Sequence, residues 1–477
     1  MNDCEQIRTI WTHAEPIIEM GVWDPAVFLS NPVRAISGQS GPILHLGELA
    51  KVFEGVRAAG NWDRRDNLPG SDAGSDTWRG YRQINVGQFE LLPGEAWDRP
   101  VESGSTFLQP GDVVVRKMSP VRAALVTDDI PGHPVDDSCL VIRGLDTPTA
   151  LWVVLCFNHP SYERYLMSLS GQPILPRVSL RVLRNIALPP PPPLFHTLAG
   201  PIKAEVNDRA LIRRNVHSVQ QEVIGFVAES GGADFIARAE ARFQQPSWSA
   251  QVHARTIDWS WAPQHVSAAI LQDELLDLSA WTPLAAWLDK TPRDRRRLPP
   301  DFDRQVHLLR LSDAETSVLP ACSLETIRPT LASRVYRVPL SVGEVLISTL
   351  GTSPRVLFAG VESRDDVFLV DHWEPLRFRE TPGAFALILN TPAVSGQLRR
   401  MSVGSARQFV RAEDIKQLCI PDVPLAVRTR WDQALTGIVQ AWRKSCDSWE
   451  DLMNRANRAF EDAHNLPAMR ADRSRAL

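Results

Sequence analysis

The residues of this chain best suited to chemistry are guanidinium and hydroxyl groups that follow two short apolar runs. After Val113-Val114-Val115 come Arg116, Lys117, Ser119 and Arg122, and after Val345-Leu346-Ile347 come Thr349, Thr352, Ser353 and Arg355. Forked N–H donors fit phosphate oxygens and the acceptor edge of guanine, and hydroxyls donate to phosphate. Arg177 and Arg411 stand further along, near comparable places in the two halves. Of 52 cationic residues only Lys51, Lys117, Lys203, Lys290, Lys416 and Lys444 are lysine, which leaves 46 arginines. A GC-rich coding sequence accounts for that bias as readily as a phosphate-binding surface does.

Signatures of catalysis do not accompany these groups. The sequence has no Gly-x-Gly-x-x-Gly or Walker loop, no His-Glu-x-x-His and no Asn-Pro-Pro-aromatic tetrapeptide; Asn158-His159-Pro160 and Asn31-Pro32 match the last only superficially. Asp128-Asp129, Asp136-Asp137 and Asp365-Asp366 are adjacent carboxylates, whose side chains diverge on an extended backbone and read as solvated turns. Cys4, Cys139, Cys156, Cys322, Cys419 and Cys446 are scattered without zinc-ligand spacing and read as buried thiols of a reducing cytoplasm. No catalytic residue, no metal site and no cofactor in this chain are expected.

The elements that position the candidate residues are duplicated. Leu108-Gln109-Pro110-Gly111-Asp112-Val113-Val114-Val115-Arg116 returns as Leu340-Ser341-Val342-Gly343-Glu344-Val345-Leu346-Ile347-Ser348, an offset of 232 residues. Val182 to Pro189 returns as Asp414 to Pro421 at the same offset, and Ala124-Leu125-Val126 falls between them on Val356-Leu357-Phe358. A period this long exceeds the roughly 20–50 residues of solenoid units, so it describes a whole domain used twice.

Composition agrees with two folded domains: 477 residues, 44% hydrophobic and 23% charged, at a formal net charge of −4. That charge argues against a free-standing nucleic-acid binder, which is commonly basic. No apolar run is long enough for a membrane span and no signal-peptide pattern opens the chain, so a cytoplasmic location is expected.

Short apolar runs broken by glycine and proline predict strands at Ile43 to Leu46, Tyr81 to Val86, Val113 to Val115 and Cys139 to Ile142. A helix is expected over Thr149 to Leu169, and Pro189 to Pro193 form a stiff exit. Apolar residues at threes and fours then predict a helix over Val206 to Ala228, stopped by Gly231-Gly232. A second such stripe follows Pro421: Leu425, Val427, Trp431, Leu435, Ile438, Val439, Trp442, Trp449, Leu452 and Met453. Each stripe needs a partner, and the other helix is the nearest.

The alternation of strand-rich domain and long helix resembles the DNA specificity subunit of Type I restriction-modification enzymes. Local phrases agree: an opening like Leu46-Gly47-Glu48-Leu49-Ala50-Lys51-Val52-Phe53-Glu54-Gly55, a Leu-x-x-Gly-Asp strand like Leu108 to Val115, and a closing phrase like Ser179 to Pro189. The second half keeps the strand and the closing phrase, Ile415 to Pro421, but no recognisable opening. The family's usual glutamine after the closing prolines is missing, with Leu194-Phe195-His196 and Val423-Pro424-Leu425 in its place, as expected of a divergent member from a restriction-like phage-defence system.

The resemblance implies an α+β fold of two tandem target-recognition domains, each followed by a long helix, the two helices pairing as an antiparallel coiled coil. The expected boundaries are a helical extension at 1–41, a first recognition domain at 42–194 and a connector helix at 195–232. A second recognition domain at 233–421 contains a helical tryptophan-rich insertion at 233–300, and a second connector at 422–465 precedes a flexible tail at 466–477. The implied function is reading of an asymmetric bipartite site on double-stranded DNA. As a helix, 206–228 spans roughly 35 Å, one turn of duplex. Partner subunits would supply the chemistry: a DNA methyltransferase using S-adenosylmethionine and, in a full complex, a restriction nuclease using ATP and Mg. Trp431, Trp442 and Trp449 are the candidate anchors for those partners. A self-contained nuclease and a duplicated protein-interaction scaffold are the competing readings.

Overall fold

The computed structural model describes residues 44–55, 78–92, 95–97, 107–128, 132–160, 162–163, 166, 177–234, 236–237, 281–289, 296–297, 305–311, 318–319, 325–327, 335–337, 342–350, 355–360, 367–370, 372–401 and 409–463. The expected extension at 1–41, most of the tryptophan-rich segment and the tail beyond 463 lie outside them. The chain divides into two compact units, one of residues 1–213 and 448–472, the other of residues 214–447 and 473–477. Each contains both helix and strand.

The first unit opens with β1 (Leu44–His45), α1 (Leu46–Leu49) and β2 (Lys51–Glu54), followed by β3 (Trp78–Gly80), β4 (Phe89–Glu90) and β5 (Glu95–Trp97). It continues with β6 (Val113–Arg116), β7 (Ala123–Leu125), β8 (Cys139–Arg143), α2 (Thr147–Asn158), α3 (Leu180–Asn185) and β9 (Ala187–Leu188). Its main sheet runs β2-β8-β6-β7-β4, with β4 parallel to β7 and the other pairs antiparallel. Helix α2 is capped by Asp146, whose carboxylate accepts from the Thr149 amide at 3.1 Å. It ends at Asn158, earlier than its apolar pattern predicts, and every residue from Ala150 to Phe157 is buried. A helix apolar all round belongs inside a core.

The opening and closing phrases meet. β1 pairs antiparallel with β9, Leu44 opposite Leu188, and the Leu46 amide donates to the Ile186 carbonyl at 3.1 Å. Gly47 must be glycine, because a Cβ there would stand 2.9 Å from the Arg184 carbonyl oxygen. The Arg184 guanidinium in turn donates to the Val52 carbonyl at 2.8 Å.

The second unit contains β10 (Trp281–Pro283), β11 (Arg296–Arg297), β12 (Val306–Leu309), β13 (Glu325–Ile327), β14 (Val335–Arg337), β15 (Val345–Ser348), β16 (Val356–Phe358), β17 (Val367–Val370), β18 (Trp373–Leu376) and β19 (Cys419–Pro421). Strands β16-β15-β18 form one sheet, β11-β14-β17-β12-β13 another, and β10 pairs with β19. The 233–300 segment is therefore not wholly helical: 281–283 and 296–297 are strands, each held by a ladder to sequence far away.

Backbone bonds give the repeat a sharper register than sequence matching does. β15 repeats β6 at offset 232, but Val356, Leu357 and Phe358 occupy the places of Ala123, Ala124 and Leu125, one residue away from the sequence match. The cause lies in the turn: the Arg116 amide donates to Arg122 in one unit and the Ser348 amide to Arg355 in the other, a loop one residue longer. The missing opening phrase also appears. The Leu284 amide donates to the Leu418 carbonyl at 2.7 Å, as Leu46 does to Ile186, and both leucines are fully buried. Trp281-Thr282-Pro283-Leu284 thus begins the second repeat, with little sequence left in common with Leu44-His45-Leu46.

Long helix α4 (Pro193–Val227) starts 13 residues before the predicted Val206 and carries Pro201 inside it. An interior proline costs about 3 kcal/mol. Burial of Phe195, Leu198, Ile202 and Val206, at about 1.5–3 kcal/mol each, outweighs it. The helix ends where Gly231 takes a φ of 96°. In the second unit come α5 (Pro382–Leu389), α6 (Pro392–Met401) and α7 (Ala412–Ile415), and the last element, α8 (Leu425–Ala463), is 39 residues long. Cys139, Cys156 and Cys419 are free and buried, but Cys446 is disulfide-bonded, which corrects the expectation of six thiols.

In the first unit α4 is fastened by charge. Glu90 accepts from Arg209 Nε at 2.9 Å and Arg213 Nε at 2.8 Å, all three side chains being buried. Burial pushes the Glu90 carboxyl upward, but the charges and hydrogen bonds of Arg213 and Arg209 outweigh it and hold it below the ordinary 4.5. Glu90→Gln removes the carboxylate charge that the two buried guanidiniums share. It should cost about 3–5 kcal/mol in urea unfolding near neutral pH. Glu90's contribution is full above its ordinary value and fades as pH falls through the depressed folded-state value, so the variant's deficit should shrink on acidification.

Candidate nucleic-acid interface

In the first unit the candidate residues gather where β6 ends and the chain turns back into β7. The sequence order Gly-Asp before the strand has a physical basis: Gly111 adopts a φ of 87°, and the next residue, Asp112, is buried. Asp112 is neutralised by Arg143 of β8, whose Nε and Nη2 donate to its two oxygens at 2.8 and 2.6 Å. The second unit repeats the device with Gly343 at a φ of 75° and buried Glu344, which pairs with Arg377 at 3.2 Å. The glycine turn and the strand that follows it are thereby built alike in both units.

At the loop itself Arg116 is half-buried, its Nη2 donating to the Ser119 carbonyl at 3.3 Å while its buried Nε has no hydrogen-bond partner. Burial, and then the charge of Arg122, lower the Arg116 pKa. Arg122 donates to the Val121 carbonyl and to Glu163, each at 3.1 Å. Ser119 is exposed, and so is Arg177, which bridges to Met118 across the adjoining segment and donates to the Asp137 carbonyl at 3.3 Å. Lys117 departs from expectation. Only 1% exposed, its ammonium is ion-paired with Glu54 and donates to the Asp137 carbonyl, so it braces the loop from inside and offers no charge to a ligand.

In the second unit the Thr349 amide donates to His372 and the Thr349 carbonyl accepts from Val410, as Lys117 does with Ser138 and Val178. Arg355 is exposed, and its guanidinium donates to the Leu311 carbonyl. Thr352 and Ser353 lie outside the described residues. Arg411 sits at the N-terminus of α7, 3.1 Å from Asp414 and next in sequence to Val410, whose amide donates to the Thr349 carbonyl at 2.8 Å. Residues that sequence reading missed are those equivalent to chosen ones: Ser348 replaces Arg116, and Phe409, bridged to Leu350, replaces Arg177. The 232-residue offset, applied to Arg116 and Arg177, leads to both.

Burial pushes the Cys139 thiol up to about 12, and burial likewise raises Cys156, so neither is a thiolate. Asp136 is raised by burial against two hydrogen bonds from Ser138. Among the described residues no group of three His, Cys, Asp or Glu is arranged to hold a metal, and no helix is long and apolar enough to cross a membrane.

The three tryptophans are not free anchors. Trp431 is 1% exposed, donates to Glu222 at 2.9 Å and meets the Phe226 ring edge-on at 5.5 Å. Trp442 is 1% exposed. Trp449 packs on the first unit's core, edge-on to Phe89 at 5.0 Å and beneath the Arg209 guanidinium at 5.0 Å. Trp431 and Trp442 are covered within the chain, whereas Trp449 is half-buried.

No protein-family model and no curated protein matches the chain. Among solved structures it is similar to the HsdS subunit from Thermoanaerobacter tengcongensis, at 14% identity over 90% of this chain and 97% of that one, with a TM-score of 0.26. The S subunit of a Type I restriction-modification system from M. genitalium matches at 9% identity over 90% and 96%, with a TM-score of 0.28. A chain from a study of complex assembly and conformational transition of a type I R-M system matches at 16% over 89% and 97%, with a TM-score of 0.26.

Trp431→Ala and Trp442→Ala should each destabilise the isolated chain by about 3–5 kcal/mol in denaturant unfolding, the cost of emptying a buried aromatic site. Side chains that served only an outside partner would leave that curve in place.

Proposed function

We propose that the chain is the DNA-recognition subunit of a restriction-modification complex, reading an asymmetric bipartite site and directing partner subunits that carry the chemistry. The observation that carries this reading is the duplication: one strand-turn-strand scaffold, with the same glycine turn and the same buried carboxylate–arginine pair, presents two loops of different sequence. Two copies of a scaffold with unlike loops suit two unlike half-sites. Arg116, Ser119, Arg122 and Arg177 in one unit, and Thr349, Thr352, Ser353 and Arg355 in the other, are the proposed contacts, with guanidinium to guanine or phosphate and hydroxyl to phosphate.

The long helices serve in this reading as an antiparallel coiled coil that carries both recognition domains. Contacts inside each unit support the pairing: Arg209 of α4 lies over Trp449 of α8, and Glu222 and Phe226 of α4 meet Trp431 of α8. The chain itself is proposed to be non-catalytic and cytoplasmic. A methyltransferase with S-adenosylmethionine and a nuclease with ATP and Mg belong to partners, whose positive charge would complement the net −4 of this subunit.

Affinity purification of the tagged protein from its own cells, together with methylome sequencing of a deletion strain, tests the reading. A co-purifying DNA methyltransferase and the loss of one bipartite methylated motif are expected. An unchanged methylome with no methyltransferase would sink the proposal and leave a protein-interaction scaffold, which the acidic net charge favours.

A further inference from the structure

The two repeats, matched through their backbone bonds, differ in what their loop edges can hold. In the first unit Arg116 and Arg122 are cross-strand neighbours, the Arg116 amide donating to the Arg122 carbonyl at 2.9 Å. Like charges opposite one another on a ladder repel and are destabilising unless an anion lies between or beside them. Arg122 has a carboxylate in Glu163, whereas Arg116 bonds a backbone carbonyl and keeps a buried Nε without a partner. Arg177, exposed on the adjoining segment, faces the same loop through its bridge to Met118. Lys117 is locked inward, and the edge presents these three guanidiniums with the Glu163 carboxylate beside Arg122.

The second unit has rebuilt each of these places. Ser348 stands for Arg116; it is 2% exposed, and its hydroxyl accepts from the Arg355 amide at 2.7 Å, closing the turn. Phe409 stands for Arg177 and is 45% exposed. Arg355 alone keeps its cation, and its guanidinium already donates to Leu311. An aromatic ring and a buried hydroxyl hold no phosphate.

We infer that the first unit binds a backbone phosphate between Arg116, Arg122 and Arg177, and that the second unit has no counterpart to this site. The inference rests on the DNA-recognition reading and deepens it: the two half-sites are held by different chemistry, one through charge and the other with an apolar ring at the equivalent place. Phosphate contacts fix position, while apolar contacts touch base edges such as the thymine methyl group.

Binding of the full chain to random-sequence duplex DNA, measured against salt concentration, tests this. Each phosphate neutralised contributes about 0.9 to the slope of log affinity against log salt. Arg116→Ser and Arg177→Phe install the second unit's residues and should each lower the slope by about 0.9, with equal weakening on every sequence. Phe409→Ala should leave the slope unchanged. Because Arg177 and Phe409 are both exposed, these two variants keep the comparison independent of folding at the half-buried Arg116. An unchanged slope in Arg177→Phe, or an equal loss in Phe409→Ala, overturns the inference. Flat salt dependence of the unaltered chain instead overturns the DNA-recognition reading beneath it.

Discussion

A carboxylate buried at the mouth of the central strand is the constraint from which the rest follows. Asp112 and Glu344 are 2% and 0% exposed, and a charge so placed is tolerable only beside a fixed counter-charge. Arg143 and Arg377 supply it from the next strand of the same sheet, which pins the strand pairing, because a slip of one residue would turn both partners to opposite faces. The left-handed glycine just before each carboxylate sets the entry of the strand. The residues proposed to meet DNA follow at the strand's far end.

The long helices are held to the sheets by the same logic. Glu90 in the first unit gathers Arg209 and Arg213, and Trp449 closes over Arg209. In the second unit the wholly buried helix α5 needs partners for its terminal backbone groups. Asp432 of α8 accepts from the Gly383 amide at 2.6 Å, and Gln220 of α4 donates to the Leu387 carbonyl at 3.0 Å. Burial raises the Asp432 carboxyl despite the amides it accepts from. Both long helices thus end up bonded to one short apolar helix. Polar groups on an apolar stripe here act as locating pins, each held by specific partners.

Much of this was legible in the sequence, for reasons that can be named. The glycine-carboxylate step before an apolar run is a local requirement, so it survived in both repeats and revealed the duplication. The closing phrase survived because α3 and β9 touch the opening phrase directly, as Gly47 against Arg184 demonstrates. What escaped was set by distant contacts. Trp281 to Leu284 resembles Leu44 to Leu46 only in its bonds to the closing strand, which accept many side chains. The one-residue shift near Val356 was hidden because every candidate position there is buried and apolar. Pro201 disguised the start of α4, and tryptophans on a polar-looking helix suggested outward anchors although neighbours cover Trp431 and Trp442. Lys117 is the plainest case: its type promised a ligand contact, and a glutamate 63 positions earlier took it.

The proposed recognition role rests on two copies of one strand-turn-strand frame that carry unlike sequences after the central strand. Photo-crosslinking of the chain to its duplex target, with the crosslinked peptides identified by mass spectrometry, tests this most directly. The account predicts crosslinks in both units, at Arg116 to Arg122 with Arg177 in one and at Thr349 to Arg355 in the other. Crosslinks confined to one unit, or falling away from both loops, would contradict the claim that one scaffold is used twice to read DNA.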